Sequence, residues 1–190
     1  MRRRVPPDHV PRQAGNHRLA GVDIEITAGG LTDVDALAPL WTAMVEHHRT
    51  VVAGRVPVRP ADKSWELRRR EYVTWLQDGT GLLFLARREG AGEVVGYAMC
   101  RLLASGPTFD LGPERGDVES LAVSPDVRGA GVGTALLDAV KAELTARGCR
   151  HWSISVAADN EGAVRLYERV GFRPLVHMME ASLAPGAGKP

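Results

Sequence analysis

The stretch Leu121-Ala122-Val123-Ser124-Pro125-Asp126-Val127-Arg128-Gly129-Ala130-Gly131-Val132-Gly133-Thr134 decides the reading of this chain. Val118–Val123 is rich in β-formers, and Pro125 turns the chain. Gly129, Gly131 and Gly133 then lead into a helix expected over Thr134–Arg147. Its apolar positions Leu136, Leu137, Val140 and Leu144 follow helical spacing, and Gly148 stops it. A helix start leaves about four backbone N–H groups unpaired, and the helix dipole adds roughly half a positive charge there. Such a start binds anions. Glycines let a phosphate approach the backbone, and Arg128 adds a planar cation. A pyrophosphate is the ligand that suits this arrangement.

Two nucleotide patterns fail on spacing. The P-loop needs a Lys after its last glycine, and none follows here. The dinucleotide fingerprint needs Gly-x-Gly-x-x-Gly, and counting from Gly131 the third glycine position is Leu136. A glycine turn without a ligand stays open on the glycines alone.

Outward from this segment, Val22, Ile24 and Ile26 alternate with Asp23, Glu25 and Thr27, as in a half-buried strand. Thr32 is expected to cap a helix running to about His48, with Asp35 three residues on and Pro39 kinking or dividing it. A second helix is expected over Asp62–Gln77, with Trp65, Tyr72 and Trp75 on its buried side and Asp78-Gly79 ending it. Leu82–Ala86 and Val94–Leu103 read as a hairpin joined through Glu89-Gly90-Ala91-Gly92. Trp152–Val156 is expected as a strand, Asn160–Val170 as a helix, and Phe172–Leu183 as a final strand. The order β-α-α-β-β-β-α-β-α-β predicts a mixed α/β sheet with helices on it.

The chain has 190 residues and 44% apolar content, enough for one core. Residues 1–20 lack hydrophobic period and read as a disordered basic tail. Residues 184–190 read as a flexible tail, leaving one domain over 21–183. With 24 basic and 23 acidic residues, the total shows no basic excess of the kind nucleic-acid binders carry. No run approaches the ~20 apolar residues of a membrane span. Met1-Arg2-Arg3-Arg4 is followed by Val5-Pro6-Pro7-Asp8-His9 rather than an apolar stretch, so a cytoplasmic protein is expected. Cys100 and Cys149 make no disulfide framework. His47-His48 are adjacent and so do not share a helix face, and no metal site is expected.

Val123-x-Pro125-x-x-Arg128-Gly129-x-Gly131-x-Gly133 resembles the acyl-CoA signature of the GCN5-related N-acetyltransferases. Asn160 to Phe172, with Leu166-Tyr167 and Gly171-Phe172, resembles that family's later helix and the strand after it. The clear resemblance covers residues 117–173. It implies a mostly antiparallel sheet whose central strands, those of Leu121 and Ser155, splay into a cleft for acetyl-CoA. It implies that Leu121, Ala122 and Val123 run beside the pantetheine arm. The amides of Arg128, Gly129, Ala130, Gly131, Val132, Gly133 and Thr134 would hold the diphosphate. An N–H near Ala122 is expected to polarise the thioester carbonyl. Tyr167 is expected to protonate the departing thiolate, and Asn160 to cap its helix and reach the pantetheine.

An amine must lose a proton before it attacks, and Glu119 or Asp117, two apart on one strand, are the candidate bases. Glu119 is favoured as nearer the thioester end. His48, Trp41, Trp65 and Trp75 are candidates for shaping the acceptor side. The activity implied is acetyl transfer to a primary amine in a ternary complex. An acyl-CoA-binding sensor module and another donor such as succinyl-CoA stay open. So does the acceptor: a polyamine, an aminoglycoside-like drug, an amino acid or a protein amine. The resemblance also admits a homodimer.

Overall fold

A computed structural model describes residues 16–19 and 22–183. Strands β1 (Asn16–Leu19) and β2 (Val22–Gly29) are followed by a 3-10 helix (Leu31–Leu37), α1 (Ala38–Val52) and α2 (Ala61–Gln77). Then come β3 (Gly81–Arg88), β4 (Val94–Leu103), β5 (Arg115–Val123), a 3-10 turn (Pro125–Val127), α3 (Val132–Ala146), β6 (Trp152–Ile154) and α4 (Glu161–Val170). The strands lie in chain order in one sheet. All neighbours are antiparallel except β5 and β6.

Both faces of the sheet are covered, and strand alternation divides the core accordingly. Leu82, Phe84 and Ala86 join Leu136, Leu137 and Val140 on the α3 side. Leu83 and Leu85 join Leu37, Tyr72 and Trp75 on the α1–α2 side. This is why β3 reads as an unbroken apolar run. Gly116 on β5 lies where sheet and helix approach closely. A Cβ there would stand 2.4 Å from Leu144 Cδ1 and 3.2 Å from Cys100 Sγ. Leu144 is itself buried on α3 and has little room to yield. Gly116→Ala is therefore expected to cost about 1–3 kcal/mol and lower the thermal midpoint by about 5 °C, read by calorimetric melting.

Three sequence expectations are corrected. Asn16–Leu19, within the expected tail, forms a strand paired to β2 with Asn16 opposite Glu25. A ladder uses main-chain groups, so missing apolar period did not forbid it. The rest of the two expected tails, 1–15, 20 and 184–190, lies outside the described residues. Thr32 does not cap. The Gly30 N–H donates to Asp33 Oδ2 at 2.8 Å, and the Asp33 N–H donates to the Gly30 carbonyl at 3.0 Å. The first helix, by contrast, is divided as Pro39 led one to expect, with Pro39 in the first turn of α1, where its missing N–H costs nothing. Finally, Phe172–Leu183 forms no strand. Leu175, Val176, Met178 and Met179 are 72–92% exposed, so alternation there buries nothing, and Pro174 has no N–H to donate.

Candidate functional site: a split sheet beside a glycine turn

The parallel pairing of β5 with β6 covers only Gly116–Trp152, Asp117–Ser153 and Val118–Ile154. Among the described residues, β5 has no neighbour on that side from Glu119 to Val123. The register with β4 fixes what this side offers. The Ser124 N–H donates to the Val95 carbonyl at 2.8 Å. Antiparallel pairs alternate, so Tyr97 and Ala122 form the next hydrogen-bonded pair. Ala122's N–H is thus turned to β4 and away from the gap. The amides of Leu121 and Val123 take the open side, and Arg128 Nε donates to the Val123 carbonyl there at 3.1 Å.

At the open end the chain enters the glycine turn. Gly129 and Gly131 adopt φ of 79° and 94°, a region that side chains other than glycine's enter at a cost. The first helical bond of α3 runs from the Ala135 N–H to the Gly131 carbonyl at 3.0 Å. The four amides from Gly131, Val132, Gly133 and Thr134 therefore precede the ladder and meet no acceptor among the described residues. The Arg128 and Ala130 amides differ. They donate within the turn, to the Pro125 and Val127 carbonyls, both at 3.4 Å. Gly133 also lets α4 approach, since a Cβ there would lie 3.1 Å from Leu166 Cδ2. Asp126 sits in the same turn. The Ser124 hydroxyl, then Arg88 at 2.7 Å, hold its carboxyl below the usual range.

Tyr167 lies on α4, half-buried against the α3-side core, with its ring edge-on to Phe172 at 6.0 Å. Burial pushes its phenol up to about 12. Asn160 Oδ1 accepts from the Ala163 N–H at 3.3 Å, so Asn160 caps α4 as expected of its residue type.

The two candidate bases are separated by what surrounds them. Met99 pairs with Ser120 and Cys100 with Val118, which leaves Glu119 unpaired in a β-bulge. A bulge re-aims side chains. Val118 faces the α3 core, while Glu119 and the adjacent Ser120 both reach α2. Glu119 Oε2 lies 3.4 Å from Arg68 Nη1. Asp117 stays at the closed end of the split, accepting from the Ser153 hydroxyl and lying 3.8 Å from Arg115 Nη1.

Sequence reasoning missed the residues under Glu119. The Tyr72 hydroxyl donates to Ser120 Oγ at 2.6 Å and lies 3.3 Å from the Tyr97 hydroxyl. Burial pushes Tyr72 up to about 12. Arg68 sits over the rings of Trp41, Trp75 and Tyr72 at 5.0, 5.6 and 5.7 Å. A signal was present: Trp65, Arg68, Tyr72 and Trp75 fall on one helical face. Trp65 packs edge-on to Tyr72 at 6.3 Å.

A mostly antiparallel sheet, split at one parallel pair beside a glycine turn with a row of open amides, defines the GNAT-type fold. The family described as "Acetyltransferase (GNAT) family" matches residues 45–172, and the chain belongs to that family. Mycothiol acetyltransferase of Propionibacterium freudenreichii subsp. shermanii is 34% identical over 140 residues. The match covers 74% of this chain and 40% of that relative, so the chain spans two-fifths of its length. The tetramutant of the BH1408 protein from Bacillus halodurans superposes with a TM-score of 0.70 at 20% identity, covering 83% of this chain and 99% of that one. AAC(6')-Iy, solved with the bisubstrate analogue CoA-S-monomethyl-acetylneamine, gives 0.61 at 17% identity, covering 85% and 98%. At these identities the two structures share the fold. Among the described residues, no helix is long and apolar enough to cross a membrane.

Proposed function

We propose that this chain transfers an acetyl group from acetyl-CoA to a primary amine by direct attack in a ternary complex. The observation that carries the proposal is the row of open amides from Gly131 to Thr134, at a helix start beside the split in the sheet. Four converging N–H donors at the positive end of α3 suit a diphosphate. The open-side amides of Leu121 and Val123 suit a strand-like amide arm laid along β5. These residues therefore fit coenzyme A, which when bound supplies the activated acyl thioester.

The chain's own groups then have distinct tasks. An alkyl ammonium has a pKa near ~10.4 and must lose a proton to become a nucleophile. Glu119 accepts that proton, directly or through water. It reaches α2 beyond the end of the β6 pairing, whereas Asp117 lies beside β6 and is tied to Ser153 and Arg115. An open-side amide of β5 donates to the oxygen that gains charge during attack. The Tyr167 phenol, kept protonated by burial, donates to the sulfur as it leaves. The free thiols of Cys100 and Cys149 accord with a reducing compartment, and we assign the protein to the cytoplasm.

Free-thiol release over a panel of amines tests the activity. In that assay Glu119→Gln is expected to lower kcat about 100-fold with CoA affinity unchanged. A wild-type protein that binds CoA but releases no thiol with any amine would favour the sensor reading instead.

A further inference from the structure

Arg68 is an unusual side chain for a site thought to receive a cation. Its guanidinium lies within 6 Å of three aromatic rings, those of Trp41, Tyr72 and Trp75. Its Nη1 lies 3.2 Å from Glu71 Oε2 and 3.4 Å from Glu119 Oε2. Both Arg68 and Glu119 are about one-quarter exposed, so this charge is held in a partly desolvated place. Rings and carboxylates together make a cation box, and the chain fills it with its own cation. A groove of about 220 Å³ opens beside it, lined by Trp41, Arg59, Ser64, Leu67, Arg68 and Glu71. The other charges nearby have their own neighbours. Arg115 is 3.8 Å from Asp117, and Arg101 lies over the Trp75 ring at 4.9 Å and acts on Asp78. The groove therefore carries Glu71 against Arg68, with Arg59 exposed on its wall, and Glu119 meets the same Arg68 guanidinium from outside the groove lining.

We propose that Arg68 is a specificity-determining residue that restricts the acceptor to amines bearing one positive charge. The inference rests on the reading that the acceptor amine docks beside Glu119. One ammonium is attracted by the carboxylates. A second ammonium on the same molecule must lie near Arg68 or Arg59, where like charges oppose it.

The test compares butylamine with diaminobutane, counted per amino group, on wild type, Arg68→Met and Arg68→Lys. Methionine keeps the apolar stem against the rings and removes the charge, and lysine keeps the charge. Each amine is read by kcat/KM and by calorimetric affinity for the CoA-saturated protein. Wild type is expected to prefer butylamine. Arg68→Met is expected to raise the diamine-to-monoamine ratio about tenfold, and Arg68→Lys to stay within about twofold of wild type. A wild type that favours the diamine would overturn the inference, whatever the fate of the variants. So would equal ratios in all three proteins. Binding of both amines without thiol release would count against the enzymatic reading alone, and the affinities would still decide the role of Arg68.

Discussion

Replacing Gly131 by valine is expected to weaken coenzyme A binding about 100-fold. Gly131 has φ of 94°, outside the region open to a β-branched side chain, and it is the residue that starts α3. Valine would cost about 1–2 kcal/mol in backbone strain or rotate the turn to escape it. Rotation re-aims the amides of Gly131 and Val132. Each hydrogen bond to a charged phosphate oxygen is worth about 1.5–3 kcal/mol, so the loss of one or two as these amides turn away accounts for about 3 kcal/mol. At 1.4 kcal/mol per decade that is about two decades in Kd. Calorimetric titration of wild type and variant with CoA checks this. Equal affinities would mean that the turn is a connector and the diphosphate is held elsewhere.

Removing the phenol of Tyr167 is expected to act on the other half of the reaction. Tyr167→Phe keeps the ring and its edge-on contact with Phe172, so CoA affinity and fold should be unchanged. Turnover should fall about 100-fold, the usual worth of a positioned proton donor. The pH dependence has a definite sign. Burial raises the phenol to about 12 from 10.0, so the folded state holds the proton more tightly than the unfolded chain. The stabilisation from that proton is full below pH 10 and is lost as pH rises through 12. An activity loss between pH 8 and about 10 therefore belongs to another group. Single-turnover thiol release for wild type and variant, each saturated with acetyl-CoA, separates this step from binding. Equal rates would remove Tyr167 from the chemistry.

The sequence carried the elements whose signals are local. The hairpin of β3 and β4 followed from two β-rich runs around Glu89–Gly92, and α3 from its spaced leucines and Gly148. The glycine turn was legible because positive φ and open amides both leave a mark in residue type. What the sequence withheld depends on partners distant in the chain. The β1 strand needs only the main chain of β2, so its side chains give no sign of it. The bulge at Glu119 is a register event between β4 and β5, and no single strand records it. It brings Ser120 to the α2 face beside Glu119, while the end of the β6 pairing, after Val118, is what separates Glu119 from Asp117. Arg68 stands in a run of three arginines, Arg68-Arg69-Arg70, and only the packing of the α2 aromatic face around it sets it apart. The final strand failed in the other direction. Residues 175–179 have the apolar content of a strand but bury none of it.

The most direct test is a crystal structure of the chain with coenzyme A bound. The account expects the diphosphate oxygens at hydrogen-bond distance, about 2.7–3.2 Å, from the backbone nitrogens of Gly131 to Thr134. It also expects the pantetheine beside Leu121 and Val123, in the space where β6 has left β5. A diphosphate seated away from α3, with those four amides facing only water, would contradict it.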